Sequence, residues 1–81
     1  MGQKEDIERV LIRKLVYMGK WNANHTSFDN LPKGFPKHLR GMVKDAAKDL
    51  IKKGILLSKP TSYGLEVSLN IKMKKEIERF S

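Results

Sequence analysis

The chain has 81 residues, no cysteine and a formal net charge of +8, from 17 Lys or Arg against 9 Asp or Glu. At this length one small core is feasible, with about 60% of the unfolded surface buried on folding, whereas a deep cleft between lobes is not. Disulfides, thiolate metal sites and thiol redox chemistry are excluded, and no apolar run approaches the ~20 residues a membrane span needs, so a single soluble cytoplasmic domain over residues 1–81 is expected, without a membrane partner.

Along residues 4–18, Ile7, Val10, Leu11, Leu15 and Met18 recur at i, i+3, i+4, i+8 and i+11, which predicts a helix with one apolar stripe. Gly19 suits the left-handed position that ends it. Ile12 and Val16 fall off that stripe, to be covered by the C-terminal segment or by a second subunit. Residues 20–25 read as a connection, with a short extended stretch over 24–26. A brief second helix follows, capped by Thr26 or Ser27, with Asp29 at its positive end and Phe28 and Leu31 on its buried side. Pro32 and the pair Lys33 and Gly34 end it in a turn.

The third helix, residues 36–53, begins at Pro36, whose missing N–H needs no partner in a first turn. Leu39, Met42, Val43, Ala46, Ala47 and Leu50 mark its apolar face, and Gly54 closes it after Lys52 and Lys53. Beyond Gly54 the period changes from 3.6 to two. "ILLSK" and "LEVSLN" flank "PTSYG" as the strands of a hairpin over residues 55–69, with Pro60 and Gly64 bracketing a five-residue loop. Asn70 then caps a last helix carrying Met73, Ile77 and Phe80 at i, i+4 and i+7. Trp21 and Phe35 lie outside these stripes. Phe35 is expected to anchor the turn in the core, and Trp21 to do the same or to meet a second subunit.

The positive charge is concentrated. Residues 1–30 hold five basic and four acidic residues, residues 61–81 hold four and three, but residues 31–60 hold eight and two, so six of the eight excess charges lie in the middle segment. At ~100° per residue, Leu39, Val43, Ala46 and Leu50 share a sector of roughly 60°, and Lys37, Arg40, Lys44, Lys48 and Lys52 fall opposite them. No acid interrupts that stripe; Asp45 and Asp49 are displaced to a flank, where Asp49 is expected to pair with Lys53 at i, i+4. Like charges at i, i+4, such as Arg40 with Lys44, destabilise an isolated helix by ~0.2–0.5 kcal/mol per pair. A face that meets phosphates recovers that cost through counterion release, whereas a merely solvated face usually mixes signs.

The stretch "SFDNLPKGFPKHLRGMVKDAAKDLIKKGILLSKPTSYGLEVSLN" resembles the helix two, turn, recognition helix and wing of the winged helix-turn-helix family. The resemblance covers nearly the whole chain, which also looks similar to small archaeal proteins of this kind. It implies a mainly α fold with a small β-hairpin: a three-helix core, a wing and a C-terminal helix. Its turn "PKGFP" is longer than the ~3–4 residues of the simplest helix-turn-helix. In that family the third helix commonly enters the DNA major groove and the wing touches backbone or minor groove, which implies a DNA-binding role such as transcription regulation. Winged helices also serve in protein interaction and in ribosome or RNA association, and that alternative stays open.

Within this frame Lys37, His38, Arg40, Gly41 and Lys44 form the reading end. The Arg40 fork suits a guanine edge, Lys37 and Lys44 suit phosphates, and Gly41 allows close approach of a sugar–phosphate chain. Lys48 and Lys52 reach the flanking backbone or face solvent, Lys33 stands in the preceding turn, and Lys59 and Tyr63 stand at the wing, where Tyr63 either makes contact or packs across the hairpin. Double-stranded DNA is the expected partner. RNA is less favoured, because the deep A-form major groove admits a helix poorly. A homodimer through the first helix or residues 72–80 is left open.

Catalytic and cofactor chemistry find no support. His25 and His38 lack converging ligands for a metal, Ser27, Ser58, Ser62 and Ser68 lack a local base, and no G-x-x-x-x-G-K-[ST] loop exists. The chain is expected to be no enzyme, to carry no cofactor and to bind no small-molecule ligand.

Overall fold

The computed structural model describes residues 3–80. Helix α1 (Gln3–Tyr17) leads through a connection to strand β1 (Thr26–Ser27), then to a single 3-10 turn at Phe28–Asn30. A second 3-10 turn, Lys37–Leu39, runs into helix α2 (Arg40–Lys52). Strands β2 (Leu56–Thr61) and β3 (Gly64–Leu69) follow, and a third 3-10 turn, Ile71–Met73, precedes the short helix α3 (Lys74–Glu78). Three helices thus accompany a three-stranded antiparallel sheet of order β1-β3-β2. The fold is mixed α/β, and the expected second helix is reduced to one 3-10 turn.

The turn keeps the local chemistry anticipated for a helix. The Ser27 hydroxyl accepts from the Asp29 N–H at 3.3 Å, and Phe28 and Leu31 are buried. It stops there because Pro32 cannot supply the N–H that the next turn needs. The extended stretch expected over 24–26 falls at Thr26–Ser27, opposite Val67 and Glu66 of β3.

Helix α1 buries Ile7, Leu11, Ile12 and Leu15, each at most 4% exposed, while Val10 and Met18 stand 49% and 44% exposed. The buried stripe is therefore rotated from the expected one. Ile12, at 1% exposure, is covered within the single chain, whereas Val16 remains uncovered. Glu8 shares the buried side at 4%, its carboxylate 3.3 Å from the Lys53 ammonium. The rotation brings this acid inward and turns Val10 out.

Helix α2 meets the sequence pattern closely. Val43, Ala46, Ala47 and Leu50 are all fully buried, with Leu39 and Met42 partly so. Helix α1 packs on α2. At the end of α2, Gly54 adopts φ +79°, its N–H donates to the Ile51 carbonyl and that of Ile55 to Leu50, both at 3.0 Å. This left-handed residue satisfies two otherwise orphaned carbonyls and aims Ile55, 4% exposed, back into the core. The same bonding closes α1 at Gly19 and Lys20.

The hairpin is tighter than expected. β2 and β3 pair from Leu56 with Leu69 out to Thr61 with Gly64, leaving Ser62 and Tyr63 alone as the turn in place of a five-residue loop. Pro60 is accommodated within β2 because that strand is an edge, where a missing N–H costs little. The Thr61 hydroxyl donates to the Gly64 carbonyl at 2.8 Å and accepts from the Tyr63 N–H at 3.2 Å, clamping the tip.

Trp21 packs partly buried against the core, as does Phe35. The strand-like backbone beside Trp21 joins the end of β3: the Leu69 N–H donates to the Lys20 carbonyl at 2.7 Å and the Asn22 N–H to Leu69 at 2.9 Å. Asn70 caps the following turn through the Lys72 N–H at 3.1 Å, and its amide also donates to the Gly54 carbonyl at 2.9 Å. The last segment is thereby tied to the end of α2, with Ile77 buried at 2%.

Candidate nucleic-acid interface

Burying Val43, Ala46, Ala47 and Leu50 fixes which side of α2 faces water. Lys37, His38, Arg40, Gly41, Lys44, Lys48 and Lys52 are all exposed. Lys37 and His38 belong to the 3-10 turn that leads into α2, so the basic stripe begins ahead of the regular helix. Lys33, also exposed, lies in the preceding turn, where its carbonyl accepts from the Lys14 ammonium at 2.6 Å. That bond fastens the turn to α1. Lys33, Arg40, Gly41 and Lys44 meet with Asp29 and Pro32 around one shallow notch, so four of the expected contact residues come together.

Charge balance across this surface is uneven. Asp29 stands 3.8 Å from the Lys44 ammonium and is 79% exposed, an arrangement that water screens heavily, and Asp45 is exposed on the flank of the stripe. Asp49 is drawn to the other side of α2. It pairs with Lys4 of α1, not with Lys53 as its i, i+4 spacing suggested, and Lys53 reaches Glu8 instead. The hydrogen bond from the Lys4 ammonium holds the Asp49 carboxyl below its ordinary range, and the same bond raises Lys4. Both ion pairs join α1 to α2.

Those cross-helix pairs are the residues that sequence reasoning missed. A signal for them exists: Lys4 and Glu8 stand four apart, as do Asp49 and Lys53, with opposite signs in the same order. Two helices lying side by side with these faces together pair both at once.

Gly41 presents open space: nothing lies within 4 Å of where a Cβ would stand. Lys48 and Lys52 continue the stripe toward the end of α2. At the hairpin, Lys59 of β2 is exposed opposite Glu66 of β3. Tyr63 is 97% exposed at the tip and does not pack across the hairpin. Neither residue lines the notch, and β2 packs on α2.

Among the described residues no group of three or more His, Cys, Asp or Glu is arranged to hold a metal ion, and no helix is long and apolar enough to cross a membrane. His25 is half-buried and His38 exposed. No protein-family model, curated protein or solved structure shows significant similarity to the chain.

Proposed function

We propose that the protein is a nucleic-acid-binding module for double-stranded DNA, of winged helix-turn-helix type, with a role in transcription regulation. The observation that carries this reading is the exposed basic stripe of Lys37, Arg40, Lys44, Lys48 and Lys52, with the flanking Asp49 paired to Lys4 of α1. A stripe of five cations along one helix, kept at the cost of like-charge repulsion, suits a polyanion. The order α1, 3-10 turn, α2 and hairpin supports the winged-helix assignment.

In this reading the first turns of α2 enter the major groove. Arg40 presents its fork to a guanine edge, while Lys33, Lys37 and Lys44 neutralise phosphates on either side. Gly41 lets the sugar–phosphate chain close on the helix. The clamped hairpin tip brings Lys59 and Tyr63 to the flanking backbone or minor groove, and Lys48 extends the contact along α2. At ~1.5 Å per residue the stripe from Lys37 to Lys52 spans roughly 22 Å, too long for every member to touch one duplex groove. Lys52 therefore faces solvent.

Neutralising four to six phosphates makes log K fall with log salt with a slope of roughly −4 to −5. Fluorescence anisotropy of a labelled duplex over a salt series measures it. Replacing Arg40 and Lys44 together by Glu abolishes that signal while circular dichroism stays unchanged. A salt-independent signal, or one the double variant leaves intact, removes the reading; tighter binding to single-stranded RNA than to duplex redirects it to RNA.

A further inference from the structure

The face of α1 turned away from the core is not explained by nucleic-acid binding. Gln3, Asp6, Val10, Arg13 and Tyr17 follow one another at spacings of three, four, three and four, the repeat of a helix-pairing seam, and all five are exposed. Val10 is 49% and Tyr17 92% exposed. Of the other charges of α1, Lys4 pairs with Asp49, Glu8 with Lys53 and Lys14 with the Lys33 carbonyl, while Glu5 and Arg9 lie with Phe80 on the flank that faces those pairs. Among the described residues Asp6 and Arg13 form no such ion pair. The helix dipole accounts for an acid early and a base late in α1, but it asks nothing of an exposed valine and tyrosine between and beyond them.

We propose that α1 pairs with α1 of a second copy of this chain, antiparallel and about a two-fold axis. The charge order selects this occupant. With the axis at Val10, Asp6 of each copy lies opposite Arg13 of the other, where its carboxylate accepts from the guanidinium. The two Val10 side chains meet on the axis, and each Tyr17 ring lies beside Gln3 of the other copy. The symmetry makes every off-axis contact twice, as a self-complementary interface requires. A parallel pairing sets Asp6 on Asp6 and Arg13 on Arg13 and is disfavoured. The inner face of α1 holds α2, so pairing through the outer face leaves the basic stripe open. One 15-residue helix supplies a small interface, placing the association in the weak, reversible class.

Sedimentation velocity over a concentration series reaching the sub-millimolar range tests the pairing. The 9.3 kDa chain is expected to shift toward twice that mass as concentration rises. Asp6→Arg and Arg13→Asp each hold the protein monomeric, because like charges then meet twice. Mixing the two variants restores the dimer, since each then offers what the other lacks. Tyr17→Ser weakens association without altering charge, and circular dichroism verifies that each variant is folded. A wild-type chain that stays monomeric throughout overturns the proposal. So does a dimer indifferent to these substitutions, or a mixture of the two charge variants that fails to associate.

Discussion

Replacing Gly41 by Ala separates the stability of α2 from its contact with nucleic acid. Gly41 is the second residue of α2, its φ is not positive, and a Cβ there meets nothing within 4 Å. Glycine costs ~0.8–1 kcal/mol relative to Ala inside a helix, and less near its first turn, so the substitution should stabilise the fold by about 0.5–1 kcal/mol. For a chain of this size, where 1 kcal/mol shifts Tm by roughly 4–8 °C, thermal unfolding followed by circular dichroism should show a rise of about 2–8 °C. The same methyl projects from the proposed contact surface. A group forced into a packed contact costs ~1–3 kcal/mol. Duplex affinity measured by anisotropy at fixed salt should therefore fall by about fivefold or more, against the gain in stability. A variant no more stable than the parent refutes the open-space argument. One that is more stable yet binds duplex equally well refutes close approach at Gly41.

The core and the cross-helix charges make further demands. Leu50 is fully buried, so Leu50→Ala should cost about 2–5 kcal/mol by urea unfolding, a large part of the roughly 4–12 kcal/mol expected of a domain this small. Lys53→Met leaves the Glu8 carboxylate, 4% exposed, without its cation; with the ammonium itself half in water, a loss of about 1–3 kcal/mol is expected, most of it recovered when Glu8→Gln is added. The depressed Asp49 makes its contribution to stability above its ordinary value of 3.8 and loses it as pH falls through the lower folded value, while the raised Lys4 contributes below 10.5 and loses it as pH rises through its folded value. The difference in Tm between the parent and Lys4→Met should accordingly be flat near neutrality and shrink at both extremes; a difference constant from pH 2 to pH 12 would show that the pair is not ionic.

What was legible in the sequence was periodicity. The apolar face of α2 could be read because Val43, Ala46, Ala47 and Leu50 form one sector with cations opposite, and the alternation of Leu65, Val67 and Leu69 marked β3. Helix α1 was misread because it carries two overlapping apolar stripes. Spacing alone favours the one with Val10 and Met18, whereas packing selects the one with Ile12 and tolerates Glu8 beside it, since Lys53 arrives from another element. The hairpin was misjudged because Pro60 reads as a loop boundary until β2 is known to be an edge strand. Within the candidate interface, the wheel placed the cations of α2 outward as found. The reach of Asp29 to Lys44, and the diversion of Asp49 to Lys4, depend on distances between elements that no local spacing records.

The two ion pairs between α1 and α2 also bear on folding. Lys4 faces Asp49 and Glu8 faces Lys53, signs alternating by one helical turn along both helices. Sliding α1 by a single turn sets Glu8 on Asp49 in one direction and Lys4 on Lys53 in the other, carboxylate on carboxylate or ammonium on ammonium. The charges therefore favour the observed alignment of the two helices over a slip of one turn. Sign order thus adds to apolar packing a preference for one register of α1 on α2.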